Sequence, residues 1–470
     1  MPANPHPPRI HVLSKPTGAT CNLACAYCFF LDKELLYPSS NFRMSDEMLE
    51  NYIRQLIESH QTPEVTVAWQ GGEPTLMGVD FYRKAIEFQN KYRKPGMTFE
   101  NTMQTNGTLL DDEWCEFFKE NNFLIGISVD GPRKLHDAYR VDKGGKGTFD
   151  KVMRGLRLLQ KHGVEFNVLV TVNRINADYP LEVYHFLRDE VGTEWIQVIP
   201  VIERINPDGV NVIQQGDTVT ERSVQPEQFG RFMIRIFDEW ILNDVGDMFV
   251  QTFEATARNW MGLPSSGMCV FEETCGLGVA LEHNGDLYSC DHFVEPDYLL
   301  GNIQDEHMID MVSSDQQVQF GLNKRDTLPQ YCRECDVRFA CKGECPKNRF
   351  TQTPTGEPGL NYLCAGWKAF FHRVNEPLKM LTMVMRSGRP ASDVMAIMAE
   401  KEADLQAAFA RAADDKPCPC GSGLDFTQCH GWQRPKRGRR RRGKIGGQAR
   451  PPVSAGASAG AALASPEDVN

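Results

Sequence analysis

Fifteen cysteines stand in this chain, and their spacing sorts fourteen of them into three groups. Cys21, Cys25 and Cys28 form a C-x3-C-x2-C loop within ATCNLACAYCFF. Three thiolates on one loop can hold three irons of a [4Fe–4S] cube, which leaves the fourth iron for another ligand. An open coordination position is where metal chemistry takes place. Eight more cysteines follow at Cys269, Cys275, Cys290, Cys332, Cys335, Cys341, Cys345 and Cys364, the ligand count of two fully ligated [4Fe–4S] clusters. Full ligation suits electron movement or folding rather than substrate binding. The third group, Cys418, Cys420, Cys429 and His430, supplies one tetrahedral set of sulfur and nitrogen ligands with no open position, the pattern of structural zinc. Spacing alone also allows zinc in the first two groups. Cys115, left over beside Trp114, Phe117 and Phe118, reads as a buried helix residue.

The elements that must position these groups alternate from His11 to about Ile202. Strands are expected at His11–Ser14, Val65–Trp69, Thr98–Gln104, Leu124–Val129, Glu165–Val172 and Trp195–Pro200. Helices are expected at Ser45–His60, Val79–Arg93, Asp111–Asn121, Thr148–His162 and Tyr179–Glu190, with Ser45 and Asp111 as caps. Such alternation implies an α/β fold with a parallel sheet and right-handed crossovers. The first cysteine loop follows the first strand, at the carboxyl end where α/β folds place their active sites. Three polar runs follow later strands: Gly71-Gly72-Glu73-Pro74, Gln104-Thr105-Asn106-Gly107 and Ser128-Val129-Asp130-Gly131. A less regular bridge with one helix, Pro226–Asn243, leads to the cysteine-dense stretch Cys269–Cys364. There helical periodicity fades, and metal ligation is expected to replace an apolar core. Helices over Asn375–Met385 and Ala391–Ala413 come next.

The C-x3-C-x-aromatic-C loop resembles the signature of radical S-adenosylmethionine (SAM) enzymes. The fold this implies is a partial (β/α)6 barrel over 10–235. By the same resemblance Gly72 and Glu73 receive the SAM amino group, and glycine lets backbone approach a ligand closely. Gln104, Asn106 and Ser128 line the cofactor, Ser128 near the ribose. Arg140 in HDAYR pairs with the SAM carboxylate, a role that suits a planar guanidinium. Tyr27 and Ile202 touch the adenosine. The implied opening step is one-electron cleavage of SAM to methionine and a 5′-deoxyadenosyl radical. The second cysteine field resembles a SPASM domain, over 236–385. The extra Cys269 is similar to the anaerobic sulfatase-maturating enzymes, a resemblance that implies three [4Fe–4S] clusters in all. One auxiliary cluster falls to Cys269, Cys275, Cys290 and Cys345, the other to Cys332, Cys335, Cys341 and Cys364. Asp291 then stands where the family has its proposed general base. A base of this kind is expected to have its pKa raised by burial, or to be helped by the acidity of the developing radical. The implied reaction converts a Cys or Ser of an unfolded sulfatase to Cα-formylglycine, with a flavodoxin- or ferredoxin-type electron donor. Two alternatives stay open: a SPASM peptide maturase that forms thioether or carbon–carbon crosslinks, and a non-catalytic zinc-binding adaptor.

The Cys418–His430 knot resembles the SEC-C zinc motif, over 416–432, after a helical linker at 386–415. A proline-rich tail, 1–9, and a basic tail, 433–470, read as disordered. The formal charge of the chain is −11, and Arg434–Lys444 alone holds eight cations, so the rest carries −19. An acidic body argues against nucleic acid as the main partner, the basic tail apart. No apolar run reaches the roughly 18 residues of a membrane helix, no signal peptide is visible, and so many cysteines suit a reducing cytoplasm, where they ligate metals.

Overall fold

The computed structural model describes residues 6–206, 215–264, 268–413 and 416. Two compact units are separable, one through Lys401 and one from Glu402. In the second unit the described residues are 402–413 and 416, the former mostly the end of the helix Asp393–Arg411. The zinc-motif residues Cys418, Cys420, Cys429 and His430 and the basic tail lie outside the described residues.

The first unit is built on one ten-stranded sheet. Six parallel strands lie side by side in chain order: β1 (His11–Lys15), β2 (Glu64–Trp69), β3 (Thr98–Thr105), β4 (Phe123–Ser128), β5 (Phe166–Val172) and β6 (Trp195–Pro200). Every junction from β1 to β6 is parallel. This is the expected β/α series, and its strands fall within about a residue or two of the sequence reading at most ends. The reason is local. Each strand is a short run that alternates or is wholly buried, closed by a polar turn. The helices Asp46–Ser59 and Asp112–Glu120 open as expected. Ser45 Oγ accepts from the Met48 amide at 3.1 Å and Asp111 from the Trp114 amide at 3.0 Å. The helix expected at Tyr179–Glu190 is split, with a wider turn over Phe186–Val191.

The second half departs from expectation. Strand β7 (Phe249–Val250) flanks β6, and β8 (Gly278–Glu282) pairs in parallel with β1 over five residues. Strands β9 (Asp286–Tyr288) and β10 (Leu299–Asn302) extend that edge antiparallel. The cysteine-dense stretch therefore shares the barrel's sheet. Its Phe271, Val279, Leu281, Leu287, Met308 and Met311 are buried in the same apolar core as the barrel. This corrects the expectation of a core made by metal ligation. Helices at Gln251–Trp260 and Met308–Val312 add to it, and a further helix spans Asp315–Asp326. The helix expected from Asn375 begins eleven residues earlier, at Cys364, and runs to Arg386 through Pro377.

Candidate active site

The loop Cys21–Cys28 leaves β1 and is pinned from two sides. The Ala24 amide donates to the Val141 carbonyl and the Ala26 amide to that of Tyr139, each at 2.9 Å. Asn106, at the end of β3, donates from Nδ2 to Asn22 Oδ1 at 2.8 Å and lies 3.7 Å from Cys21 Sγ. Asn22 in turn donates to Thr108 Oγ1 at 2.8 Å. Burial pushes the Cys21 thiol up to about 12 and Cys25 to about 11, both raised further by the charge of neighbouring cysteines, and burial raises Cys28 as well. Three half-buried thiols that would ionise only at a cost suit a cation-rich cluster, which removes that cost by binding them as thiolates.

Gly72 and Glu73 brace the same loop. Their amides donate to the carbonyls of Gly18 and Thr20 at 2.8 and 2.9 Å. A Cβ on Gly72 would meet the Thr20 carbonyl oxygen at 2.1 Å, so only glycine allows this approach. The Glu73 carboxylate is wholly buried. It accepts from the Thr75 amide and hydroxyl, from Thr105 Oγ1 at 2.7 Å and from the Asn106 amide at 2.8 Å. That side chain ties the end of β2 to the end of β3.

Arg140 is not free either. Its Nε and Nη2 fork onto Asp130 at 2.9 and 3.1 Å, and Nη2 also reaches Thr171 Oγ1. Tyr27 donates its hydroxyl to the same carboxylate. Arg140 Nη1 makes no hydrogen bond among the described residues. Asp130, fully buried at the end of β4, thus organises two of the expected cofactor residues; the sequence reading had not singled it out. Gln104 Nε2 donates to Ser128 Oγ at 3.0 Å across β3 and β4, in space that Gly126 leaves by lacking a Cβ. Ile202 is buried in the core just past β6.

Asp291 directly follows Cys290 and faces the first loop. Its Oδ1 forms an ion pair with Lys15, the last residue of β1. Burial raises the Asp291 carboxyl, but the charges of Lys15, His292 and Lys347 outweigh it and hold the group below its ordinary value. Of the two expectations, a pKa raised by burial is corrected by this facing lysine, which leaves the acidity of the developing radical as the expected help. Lys15 Nζ also sits 3.9 Å over the Phe30 ring, and Lys347 Nζ 4.4 Å over that of Phe29. Phe29 meets His292 edge-on at 6.1 Å. The residues after Cys28 and those after Cys290 therefore pack against one another.

The remaining cysteines fall into two charge-coupled sets. Cys290 is pushed up to about 12 by burial and then by Asp291, Cys269 and Cys275; Cys345 is raised by burial, Glu344, Cys290 and Cys269. Cys341, also about 12, is raised by burial, Glu344, Cys364 and Cys332, while Cys364, about 11, feels Cys332 and Cys335. Cys115 is fully buried in the helix Asp112–Glu120.

Comparison with known proteins adds three segments. Residues 16–187 match the radical SAM superfamily model, 271–336 an iron–sulfur cluster-binding domain known as SPASM, and 416–431 the SEC-C motif. The chain is 47% identical over 393 residues to the serine-type anaerobic sulfatase-maturating enzyme of Bacteroides thetaiotaomicron, covering 82% of this chain and 94% of that one. It is 31% identical over 370 residues to a cysteine-type enzyme of Clostridium perfringens, covering 77% and 96%. The solved structure of native anSMEcpe with bound AdoMet and Cp18Cys peptide superposes with a TM-score of 0.72 at 29% identity, covering 80% and 100%. Streptococcus suis SuiB bound to S-adenosylmethionine, at 14% identity and a TM-score of 0.54, shares the fold alone.

Proposed function

This chain belongs to the anaerobic sulfatase-maturating enzymes, and we propose that it oxidises a Cys or Ser of an unfolded sulfatase segment to Cα-formylglycine, with the roles that follow. The radical SAM and SPASM segments imply S-adenosylmethionine and [4Fe–4S] clusters. The chemistry those groups supply when bound is hydrogen-atom abstraction by a 5′-deoxyadenosyl radical. Cys21, Cys25 and Cys28 would hold the cluster that binds SAM. The two cysteine quartets would hold two more, and Cys418, Cys420, Cys429 and His430 a zinc ion. A flavodoxin- or ferredoxin-type donor in the cytoplasm would deliver the electron.

The observation that carries this reading is the packing of Phe29 and Phe30 against the Lys15–Asp291–His292 group. It sets a carboxylate beside the loop on which SAM would sit. Lys15 occupies Oδ1 of Asp291 and leaves Oδ2 to take the proton from the substrate's hydroxyl or thiol. Asp130 turns Arg140 and Tyr27 toward the cofactor, with Arg140 Nη1 left for a carboxylate. Glu73 keeps the Gly71–Glu73 carbonyls in place for the amino group.

The test is anaerobic turnover of sulfatase-derived peptides carrying Ser or Cys, following 5′-deoxyadenosine and product mass together. Aldehyde formation supports the reading, and an intramolecular crosslink would move the chain to the peptide maturases. Asp291→Asn should still cleave SAM while product falls by roughly 10²- to 10⁴-fold, the usual worth of a general base. Undiminished aldehyde from that variant would remove Asp291 from its role.

A further inference from the structure

Lys324, on the helix Asp315–Asp326, is one of the largest fully buried side chains of the molecule, 1% exposed. Its Nζ donates to three backbone carbonyls, those of Cys269, Val270 and Glu272. Three acceptors and no donor at one nitrogen require all three hydrogens of an ammonium, so the charge is fixed by geometry. A lone buried cation is costly unless an anion offsets it. Burial pulls the Lys324 pKa down, and the groups whose negative charge would oppose that are Cys269, Cys275, Cys345 and the buried Glu344. Three of those four are ligands of the first auxiliary quartet. Glu344 is itself held by Asn348 at 3.1 Å and by Asn361.

A second cation locks the arrangement. Arg349 donates to the Lys324 carbonyl at 2.6 Å and to the carbonyls of Gly343, Glu344 and Lys342 at 2.8, 3.0 and 3.2 Å. The Lys342–Glu344 segment has positive φ at all three residues and links Cys341 of one quartet to Cys345 of the other. Lys324 is thereby held against the Cys269–Cys345 quartet by backbone on both of its sides, where its charge cannot move away or be screened by water.

We propose that Lys324 is a built-in counter-ion that raises the reduction potential of the cluster held by Cys269, Cys275, Cys290 and Cys345. The inference rests on the reading that these four cysteines carry a [4Fe–4S] cluster. Four thiolates on an oxidised cube give a net charge of about −2, and gain of one electron takes it to about −3. A fixed ammonium favours the more negative form, so it shifts the one-electron equilibrium toward reduction. Oxidation of a substrate residue releases two electrons and two protons in all. A hydrogen atom carries away one of each, and a base takes the second proton. The second electron then needs a one-electron acceptor, and this quartet, beside Asp291, becomes a better one with a cation at its back.

The experiment is a redox titration of the reconstituted full chain, followed by paramagnetic resonance, with iron counted for each variant. The SAM-binding cluster is identified by its spectral change on addition of SAM. Lys324→Gln should make reduction of one auxiliary cluster at least tenfold less favourable, a fall of about 59 mV for one electron. The other two clusters should hold their potentials, and Lys324→Arg should restore the first. An unchanged auxiliary potential in a fully loaded Lys324→Gln chain would overturn the proposal. If the Gln chain cannot retain that cluster but the Arg chain can, the same need for positive charge is reported. If both lose it, Lys324 is a structural tie and the proposal is wrong. Auxiliary signals missing from the unaltered chain would instead defeat the cluster assignment itself.

Discussion

At the scale of single residues, the site is governed by groups that hold other groups. Glu73 offers its carboxylate to three neighbouring residues of the protein, and Asp130 gathers Tyr27, Arg140 and the Thr171 amide. Gly72 is the tightest of these constraints. Adding one methyl there brings carbon to 2.1 Å from the Thr20 carbonyl, a contact that backbone on both sides cannot relieve cheaply. Gly72→Ala should therefore displace the Cys21–Cys28 loop alone. Anaerobic reconstitution should load about eight irons per chain in place of about twelve, the complement of three cubes, and 5′-deoxyadenosine should not form. Full iron content with normal SAM cleavage would show that the loop can yield. The cysteines and the glycine turn were legible in the sequence because covalent spacing alone places them on one loop. Asp130, Lys15 and Lys324 were not. Lys15 meets Asp291 across 276 residues of chain because β8 pairs with β1 in one register, and nothing in the local sequence of either announces that partner.

At the scale of elements, the helices Pro226–Asn243 and Cys364–Arg386 decide where the last cluster ligand sits. They cross at two glycines: a Cβ on Gly230 would lie 2.7 Å from the Gly366 Cα, and one on Gly366 would lie 2.1 Å from the Pro226 carbonyl oxygen. Phe229 and Trp367 pack edge to face beside the crossing at 5.0 Å. Cys364 opens the second helix, two residues from the contact. Overpacking here should cost about 1–3 kcal/mol and pull Cys364 from its quartet. Gly366→Ala is expected to lower the melting temperature and to lose iron from the Cys332–Cys364 cluster in preference to the other two. A variant as stable as the parent with all clusters loaded would mean that the helices can part without consequence. The first turns of this helix escaped the sequence reading because Cys-Ala-Gly-Trp reads as loop and Pro377 as a break. The helix Asp315–Asp326 escaped because its apolar residues form no stripe; it is held by Gln317 and Lys324, which bond to the backbone of the cysteine segments. The six barrel strands, by contrast, were visible because each carries its own alternation or apolar run.

At the scale of the whole molecule, charge and chemistry are separated along the chain. The eleven cysteines of the first three proposed cluster sites, Asp291 and the groups around Arg140 all belong to the unit that ends at Lys401. The segment after Lys416 holds the SEC-C match and most of the clustered cations, and without it the chain's formal charge falls from −11 to −17. Among the described residues no helix is long and apolar enough to cross a membrane, and a basic segment is drawn to acidic surfaces and polyanions. Such attraction is screened within a Debye length of about 8 Å at physiological salt. Ending the chain at Lys416 should accordingly leave iron content and aldehyde formation on a short peptide unchanged, while bound zinc disappears from the metal analysis. Retention on a polyanionic column should weaken at low salt and converge with that of the full chain as salt rises. Loss of peptide oxidation by the shortened chain, with its iron intact, would mean that the zinc motif takes part in the reaction and not merely in holding a partner.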